Sequence, residues 1–275
     1  MKLPWMFVAS VLVAAAAIIY FRESTIFTCT TFFDYAKQDK WEVFCNAMDS
    51  IREKHDPATL QGISRWLVVN EYSATPKKDW TPIIQQRYPF IEFIQKDAEH
   101  KGQAASMNII LARIKPYRYW IHWEEAWYCQ NPCIDRMFDI MRSTDVTQLQ
   151  VTQLNNSPNW LDSTKHPRSL MKTPRGTQFY VIRPAPGTED YMQKSVTEFN
   201  NDFFGHWPLY SLLPSINRVS RYNIGEFSTD ATLWPIKFEW DYGRRWLSAD
   251  NKKAVLPDGP VVRDASKHRS TYGNN

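Results

Sequence analysis

The 275 residues are 43% hydrophobic and 23% charged, a balance that excludes a disordered chain and suffices for one large domain or two small ones. A net charge of +4 is too small to mark a nucleic-acid binder. The 12 Trp, 13 Tyr and 15 Phe suit ordinary cores and sugar rings alike, since both take flat apolar faces with a polar edge.

Trp5 to Phe21 is an uninterrupted run of apolar and small residues, closed by Arg22 and Glu23. At ~1.5 Å per residue it is close to the shortest helix that crosses a ~30 Å hydrocarbon layer. Ala14 to Ala17 resemble a signal-peptide cleavage site, but Ile18, Ile19, Tyr20 and Phe21 prolong the run, which fits an uncleaved anchor better. Lys2 and the N-terminal amine, opposed by Arg22, favour a cytosolic N-terminus. The expected organisation is a membrane anchor over residues 1–22, inserted through residues 5–21 as a single-pass type II segment, and one lumenal domain over 23–275.

Beyond the anchor, Thr25 to Thr31 is β-branched and apolar and predicts a strand. Asp34 to Lys54 has helical spacing, with Trp41, Phe44, Cys45, Met48 and Ile51 on one face. Arg65 to Asn70, Phe90 to Ile94 and Arg118 to Trp123 predict further strands, and His100 to Ile114 a helix. Strand and helix thus alternate, the pattern of an open, mostly parallel α/β sheet flanked by helices. Such sheets bind ligands outside the carboxyl ends of their strands. Thr30, Glu71, Asp97 and the pair Glu124-Glu125 all stand at such ends.

Cys29, Cys45, Cys129 and Cys133 permit disulfides in a lumenal domain, zinc ligation, or unpaired buried thiols. Cys129 and Cys133 are close enough in sequence for a local bridge. Asn155-Asn156-Ser157 fits a glycan acceptor site that Pro158 should weaken. Further on, Gln148 to Leu154 and Gln178 to Arg183 predict strands, and Glu189 to Phe203 and Phe238 to Trp246 helices. Pro257-Asp258-Gly259-Pro260 is a turn. A local basic excess closes the chain: Arg244, Arg245, Lys252, Lys253, Arg263, Lys267 and Arg269 against Asp250, Asp258 and Asp264.

Two stretches carry a family resemblance. Lys101-Gly102-Gln103-Ala104-Ala105-Ser106-Met107-Asn108 and Tyr119-Trp120-Ile121-His122-Trp123-Glu124-Glu125-Ala126-Trp127 resemble the GT-A-fold, family-2-like glycosyltransferases, above all the divergent members of large DNA viruses and algae. Val68 to Ser73 is similar to that family's second-strand end. The resemblance implies a GT-A-like fold with a nucleotide-binding half over residues 25–130 and an acceptor half with a basic tail over 131–275. It implies a nucleotide-sugar donor, a glycan or glycoprotein acceptor, and a divalent cation, Mn2+ or Mg2+. Thr30, Glu71, Lys101, Gln103, Glu124, Arg244, Lys267 and Arg269 would then face the donor. Glu125 and Glu124, hard oxygen donors that suit these ions, would ligate the cation, with His268 as a further ligand. Ala126 departs from the pattern, which usually keeps a further acid there. Phe238 to Trp246 resembles the element whose carboxylate faces the acceptor, with Glu239 as first choice for general base and Asp241 as second. Trp207 and Trp127 would wall the acceptor. The competing expectation is a degenerate relative that binds carbohydrate or a partner without turnover.

Overall fold

In the computed structural model, the described residues are 25–33, 39–73, 79–152, 166–195, 198, 203, 206–233 and 236–263. Strand β1 (Thr25–Thr31) is followed by helix α1 (Asp39–Lys54), the short α2 (Pro57–Gln61) and β2 (Arg65–Asn70). Then come α3 (Thr81–Arg87), β3 (Ile91–Gln95), α4 (Gln103–Ile114), β4 (Tyr119–Glu124) and β5 (Trp127–Cys129). The second half holds α5 (Ile134–Ser143), β6 (Gln148–Gln150), β7 (Arg168–Lys172), β8 (Gln178–Ile182), α6 (Thr188–Gln193), β9 (Ser215–Arg218), α7 (Lys237–Ser248), β10 (Lys253–Val255) and β11 (Val261–Arg263).

Nine strands form one sheet in the order β3-β2-β1-β4-β9-β6-β10-β8-β7, and β11 pairs with β5 in a separate small sheet. β3, β2, β1 and β4 run parallel, and β9 reverses between β4 and β6. β10 resumes the common direction beside β6, and β8 reverses again. The expected mostly parallel sheet is therefore interrupted by two antiparallel strands.

The central strands β1, β2, β4, β6, β9 and β10 are buried on both faces, so side chains alternate between two cores, whereas β7 at the edge is exposed. Phe27, Cys29, Ile121 and Trp123 pack with Phe44, Met48 and Ile51 of α1 and Met137 and Ile140 of α5. Ile26, Trp120 and Val255 pack on the other face with Met107 and Ile110 of α4 and Phe238, Tyr242 and Trp246 of α7. The result is three layers, α/β/α.

Among the described residues no helix is long and apolar enough to cross a membrane. The anticipated anchor at residues 1–22 lies outside them, as do Asn155 to Pro158 and the tail residues Lys267, His268 and Arg269. The helix anticipated over Glu189 to Phe203 is the six-residue α6 at Thr188–Gln193, and most residues between 196 and 205 are not described. All four cysteines are buried free thiols, and no disulfide joins them.

Candidate active site

The carboxyl ends of β1, β2 and β4 meet as the alternation pattern implies. Thr30 of β1 is in register with Glu124 of β4, and Glu125 N donates to Thr30 O at 3.3 Å. The turn after β4 is locked by two indoles: Trp123 Nε1 donates to Trp127 O at 2.7 Å, and Trp127 Nε1 donates to Glu124 Oε2 at 3.1 Å. Gln103, first residue of α4, donates to Glu124 Oε1 at 3.1 Å. Glu125 Oε1 lies 3.4 Å from Lys40 Nζ. Desolvation raises the Glu124 carboxyl to about 7, with the neighbouring charge of Glu125 adding to it. Glu125 is raised too, chiefly by desolvation and against the pull of Lys40 and Arg263.

Glu71 follows β2 and is buried. Its carboxylate is held by Lys96 at 2.8 and 2.9 Å and accepts Gly102 N at 3.0 Å and Tyr72 N at 2.9 Å. Lys96 also donates to Gly102 O at 2.8 Å. Gly102 has φ 100, a left-handed value that favours glycine. Glu71 therefore ties the end of β2 to the turn that starts α4 and places Gln103 against Glu124. Lys101 in that turn is exposed. Asp97 is exposed and paired with His100 at 2.7 Å. Asn108 holds α4 down: its amide makes two hydrogen bonds, 2.8 and 2.9 Å, with the backbone of Phe227.

Across the sheet, Glu239 lies in the first turn of α7 and is 8% exposed. Leu212 N donates to its Oε1 at 2.9 Å. Burial pushes its carboxyl up to about 8, the charge of Glu124 adds to that rise, and Lys253 opposes it. Lys253 is fully buried, donates to Gln148 Oε1 at 2.6 Å, and is pushed down by desolvation to about 7. α7 can approach this closely because it carries Gly243, where a Cβ would meet Pro208 Cγ at 2.7 Å.

Asp241 does not join Glu239. Residues two apart on a helix project about 200° apart, and the Asp241 carboxylate pairs with Arg244 at 2.7 Å and Arg245 at 3.3 Å. Arg244 also donates to the carbonyls of Met192 and Lys194, both at 3.2 Å, and lies over Trp240. Its guanidinium is engaged within the fold and not aimed at a donor. Trp207 is 1% exposed and donates to Tyr210 O at 2.6 Å, packed with Phe203 and Trp240. It fills a core and presents no face to an acceptor. Trp127 is buried as well and serves by holding Glu124.

Arg263, which the sequence did not single out alone, pairs in register with Trp127 and lowers both glutamates of the turn. Lys40, Lys96 and Lys253 were likewise missed, because a lysine that ends up buried looks like any surface lysine in sequence. Cys129, Cys133 and His55 form a buried group with donor atoms within 4.8 Å of one another. His55 Nε2 accepts the N–H groups of Cys133 at 2.9 Å and Ile134 at 3.2 Å, so the ring proton is on Nδ1, which donates to Ile51 O at 2.7 Å. The imidazole thus caps the start of α5, which leaves two thiols, fewer ligands than structural zinc takes.

No family model matches the chain, and no curated protein matches its sequence. Solved structures do match its fold. GalNAc-T7, crystallised with UDP, GalNAc and Mn2+, is 9% identical with TM-score 0.52 over 91% of this chain and 46% of its own. TarS of S. aureus is 14% identical with TM-score 0.51 over 86% and 35%. TarS residues 1–349 in complex with UDP-GlcNAc is 15% identical with TM-score 0.51 over 90% and 61%. The chain spans less than two thirds of each of these proteins. These neighbours are GT-A glycosyltransferases, and the chain shares their fold.

Proposed function

We propose that the chain transfers a sugar from a nucleotide-sugar donor to a hydroxyl of a glycan or glycoprotein, with inversion at the anomeric carbon. The observation that carries this reading is the buried pair Glu124 and Glu125 at the carboxyl end of the sheet, with Glu239 near enough for the charge of Glu124 to act on it, in a fold shared with nucleotide-sugar enzymes. Buried carboxylates gain most from a partner of opposite charge. Glu124 and Glu125 would hold a divalent cation, Mn2+ or Mg2+, as hard oxygen donors with Thr30 beneath them. Such an ion supplies the positive charge that a departing diphosphate needs.

Glu239 is the general base. Its raised affinity for protons suits it to take the proton of an acceptor hydroxyl. Gln103 fixes Glu124, and Lys101 stands on the donor side of the same turn. Glu71 acts on the donor through that turn, since its own oxygens are taken by Lys96 and Gly102. Lys267, His268 and Arg269 follow Arg263, which already lies beside the carboxylates, and would close over the diphosphate. Residues 5–21 anchor the protein as a single-pass type II segment with the domain in the lumen, as in the secretory pathway or a viral membrane. The likeness to viral and algal enzymes rests on the motifs alone.

A second reading has its own observation. Ala126 removes one acid, and Lys40 and Arg263 already offset the other two, as a non-catalytic carbohydrate-binding relative would allow. The deciding experiment offers the full chain in detergent a panel of nucleotide sugars with and without Mn2+ and measures nucleotide release. Metal-dependent release that Glu125→Ala abolishes is expected. Nucleotide binding without turnover for any donor would establish the binding protein instead.

A further inference from the structure

The hairpin of β7 and β8 ends the large sheet on the side away from β3. Its ladder is fixed at both ends: Thr173 N donates to Thr177 O at 2.9 Å, and Arg183 N donates to Pro167 O at 2.8 Å. Bonded and non-bonded pairs alternate in an antiparallel ladder. With Leu170 opposite Tyr180, the residues of β7 whose backbone faces β8 are therefore Ser169 and Met171. The N–H and C=O groups of Arg168, Leu170 and Lys172 point outward, and among the described residues no strand pairs with them. The turn of the hairpin is held from α5, where Asp139 accepts from Thr173 Oγ1 at 2.6 Å and from Thr177 Oγ1 at 2.5 Å.

Every residue of β7 is exposed. Among the described residues the exposed large hydrophobics are Phe90, Leu170 at 54% and Met171 at 48%, so two of them adjoin on this one strand. Successive side chains of a strand point to opposite faces, so Leu170 shares a face with Arg168 and Lys172, and Met171 projects on the other. The segment from His166 to Arg183 contains Arg168, Lys172, Arg175 and Arg183 and no Asp or Glu. Arg175 lies 3.9 Å from Asp139. Arg168 lies over the Tyr180 ring at 5.0 Å, and among the described residues neither Arg168 nor Lys172 has a carboxylate partner.

We infer that β7 is a docking strand for an extended, acidic segment of another polypeptide. The segment adds to the sheet by bonding the outward backbone groups of Arg168, Leu170 and Lys172. It sets an apolar side chain against Leu170 and a carboxylate against each of the two flanking cations. The charge pattern selects this occupant. Two copies of the chain pairing antiparallel about Leu170 would set Arg168 of each against Lys172 of the other, and like charges directly opposite destabilise a strand pair. Such charges guard an edge against its own kind and leave it open to a strand of opposite sign. A flat lipid surface fits less well, because it can take Leu170 or Met171 from one side but not both. The inference is independent of the function proposed above.

The test measures binding of a fluorescein-labelled peptide, Thr-Glu-Thr-Val-Thr-Glu-Thr, to the full chain by fluorescence anisotropy. Its pattern reads the same in either direction and brings Val to Leu170 with a Glu to each of Arg168 and Lys172. Saturable binding that weakens with added salt is expected. It should be at least about tenfold tighter than for the same peptide with Lys in place of both Glu. N-methylation of the Val removes one backbone donor and should cost about 3- to 10-fold. Leu170→Pro removes an N–H that bonds nothing in the hairpin, so it should leave the fold intact and abolish binding. If Leu170→Pro does not fold, the exposed pair Arg168→Glu and Lys172→Glu decides: together they should reverse the preference to the Lys peptide. No binding, equal affinity for the two peptides, indifference to N-methylation, or an unreversed preference overturns the inference. So does a dimer in sedimentation that Leu170→Pro dissolves, which would assign the edge to a second copy of the chain.

Discussion

Glu239 is a buried carboxylate that accepts one backbone N–H, from Leu212, with the charges of Glu124 and Lys253 acting on it in opposite directions. Because its carboxyl lies at about 8, a reaction that needs it ionised should gain rate about tenfold per pH unit below that value. Glu239→Gln should lower turnover by about 10² to 10⁴ with donor affinity intact. Asp241→Asn, which loses only the pairing with Arg244 and Arg245, should stay within a few-fold of wild type in the same nucleotide-release assay. The stability sign follows from the raised value. A carboxyl that titrates higher folded than unfolded binds more protons in the folded state, so its stability contribution is present below about 4.5 and lost as pH rises through about 8. The melting temperature of Glu239→Gln relative to wild type should therefore climb between pH 5 and pH 8, at about 2–4 °C per kcal/mol. A flat difference would place the carboxylate in water.

At the scale of elements, α7 is set by a contact that helix propensity opposes. Alanine in place of a mid-helix glycine ordinarily stabilises by about 0.5–1 kcal/mol. At Gly243 the added methyl would meet Pro208 Cγ at 2.7 Å and Tyr210 Cβ at 3.3 Å, so Gly243→Ala should destabilise by about 1–3 kcal/mol in a denaturant melt. It should also lower turnover, since the 208–212 segment carries the Leu212 N–H that holds Glu239. None of this is legible in sequence, where Gly243 is one small residue in an aromatic stripe. What was legible follows from burial. β1 and β2 have the expected bounds because β-branched runs buried on both faces leave no ambiguity, and β3 and β4 differ by one residue. α4 starts at Gln103 and not His100 because Gly102 breaks the helical path. α5 was readable, with Ile134, Met137, Phe138 and Met141 at helical spacing, but was not anticipated. β9 was not readable: Ser-Ile-Asn-Arg is short and polar, and its residues have their place only once β4 and β6 flank it. For the same reason the sequence offered Trp127 and Trp207 as sugar platforms, since an indole that packs inward looks the same in sequence as one that faces a ligand.

For the whole molecule, the charge pattern and the two cores describe only the domain, and the proposed anchor is tested separately. Membranes bearing the full chain should retain it through an alkaline carbonate wash, and protease added outside sealed vesicles should spare epitopes beyond Arg22. Release of a soluble form beginning near Ala17 would show that the apolar run is a cleaved signal instead. The order of strands carries a consequence in time. β4 ends at Glu124, yet the strand that covers its edge begins at Ser215 and is followed only later by β10, which closes on β6. At a synthesis rate of about 5–20 residues per second, the four-stranded parallel half waits on the order of 5–20 s with its β4 edge uncovered. Pairing across such distances in sequence is also slow after dilution from denaturant. The interval is when a half-made sheet can recruit the wrong strand, so a chain terminated after Pro214 should collect in the insoluble fraction, while one that has passed Val255 need not.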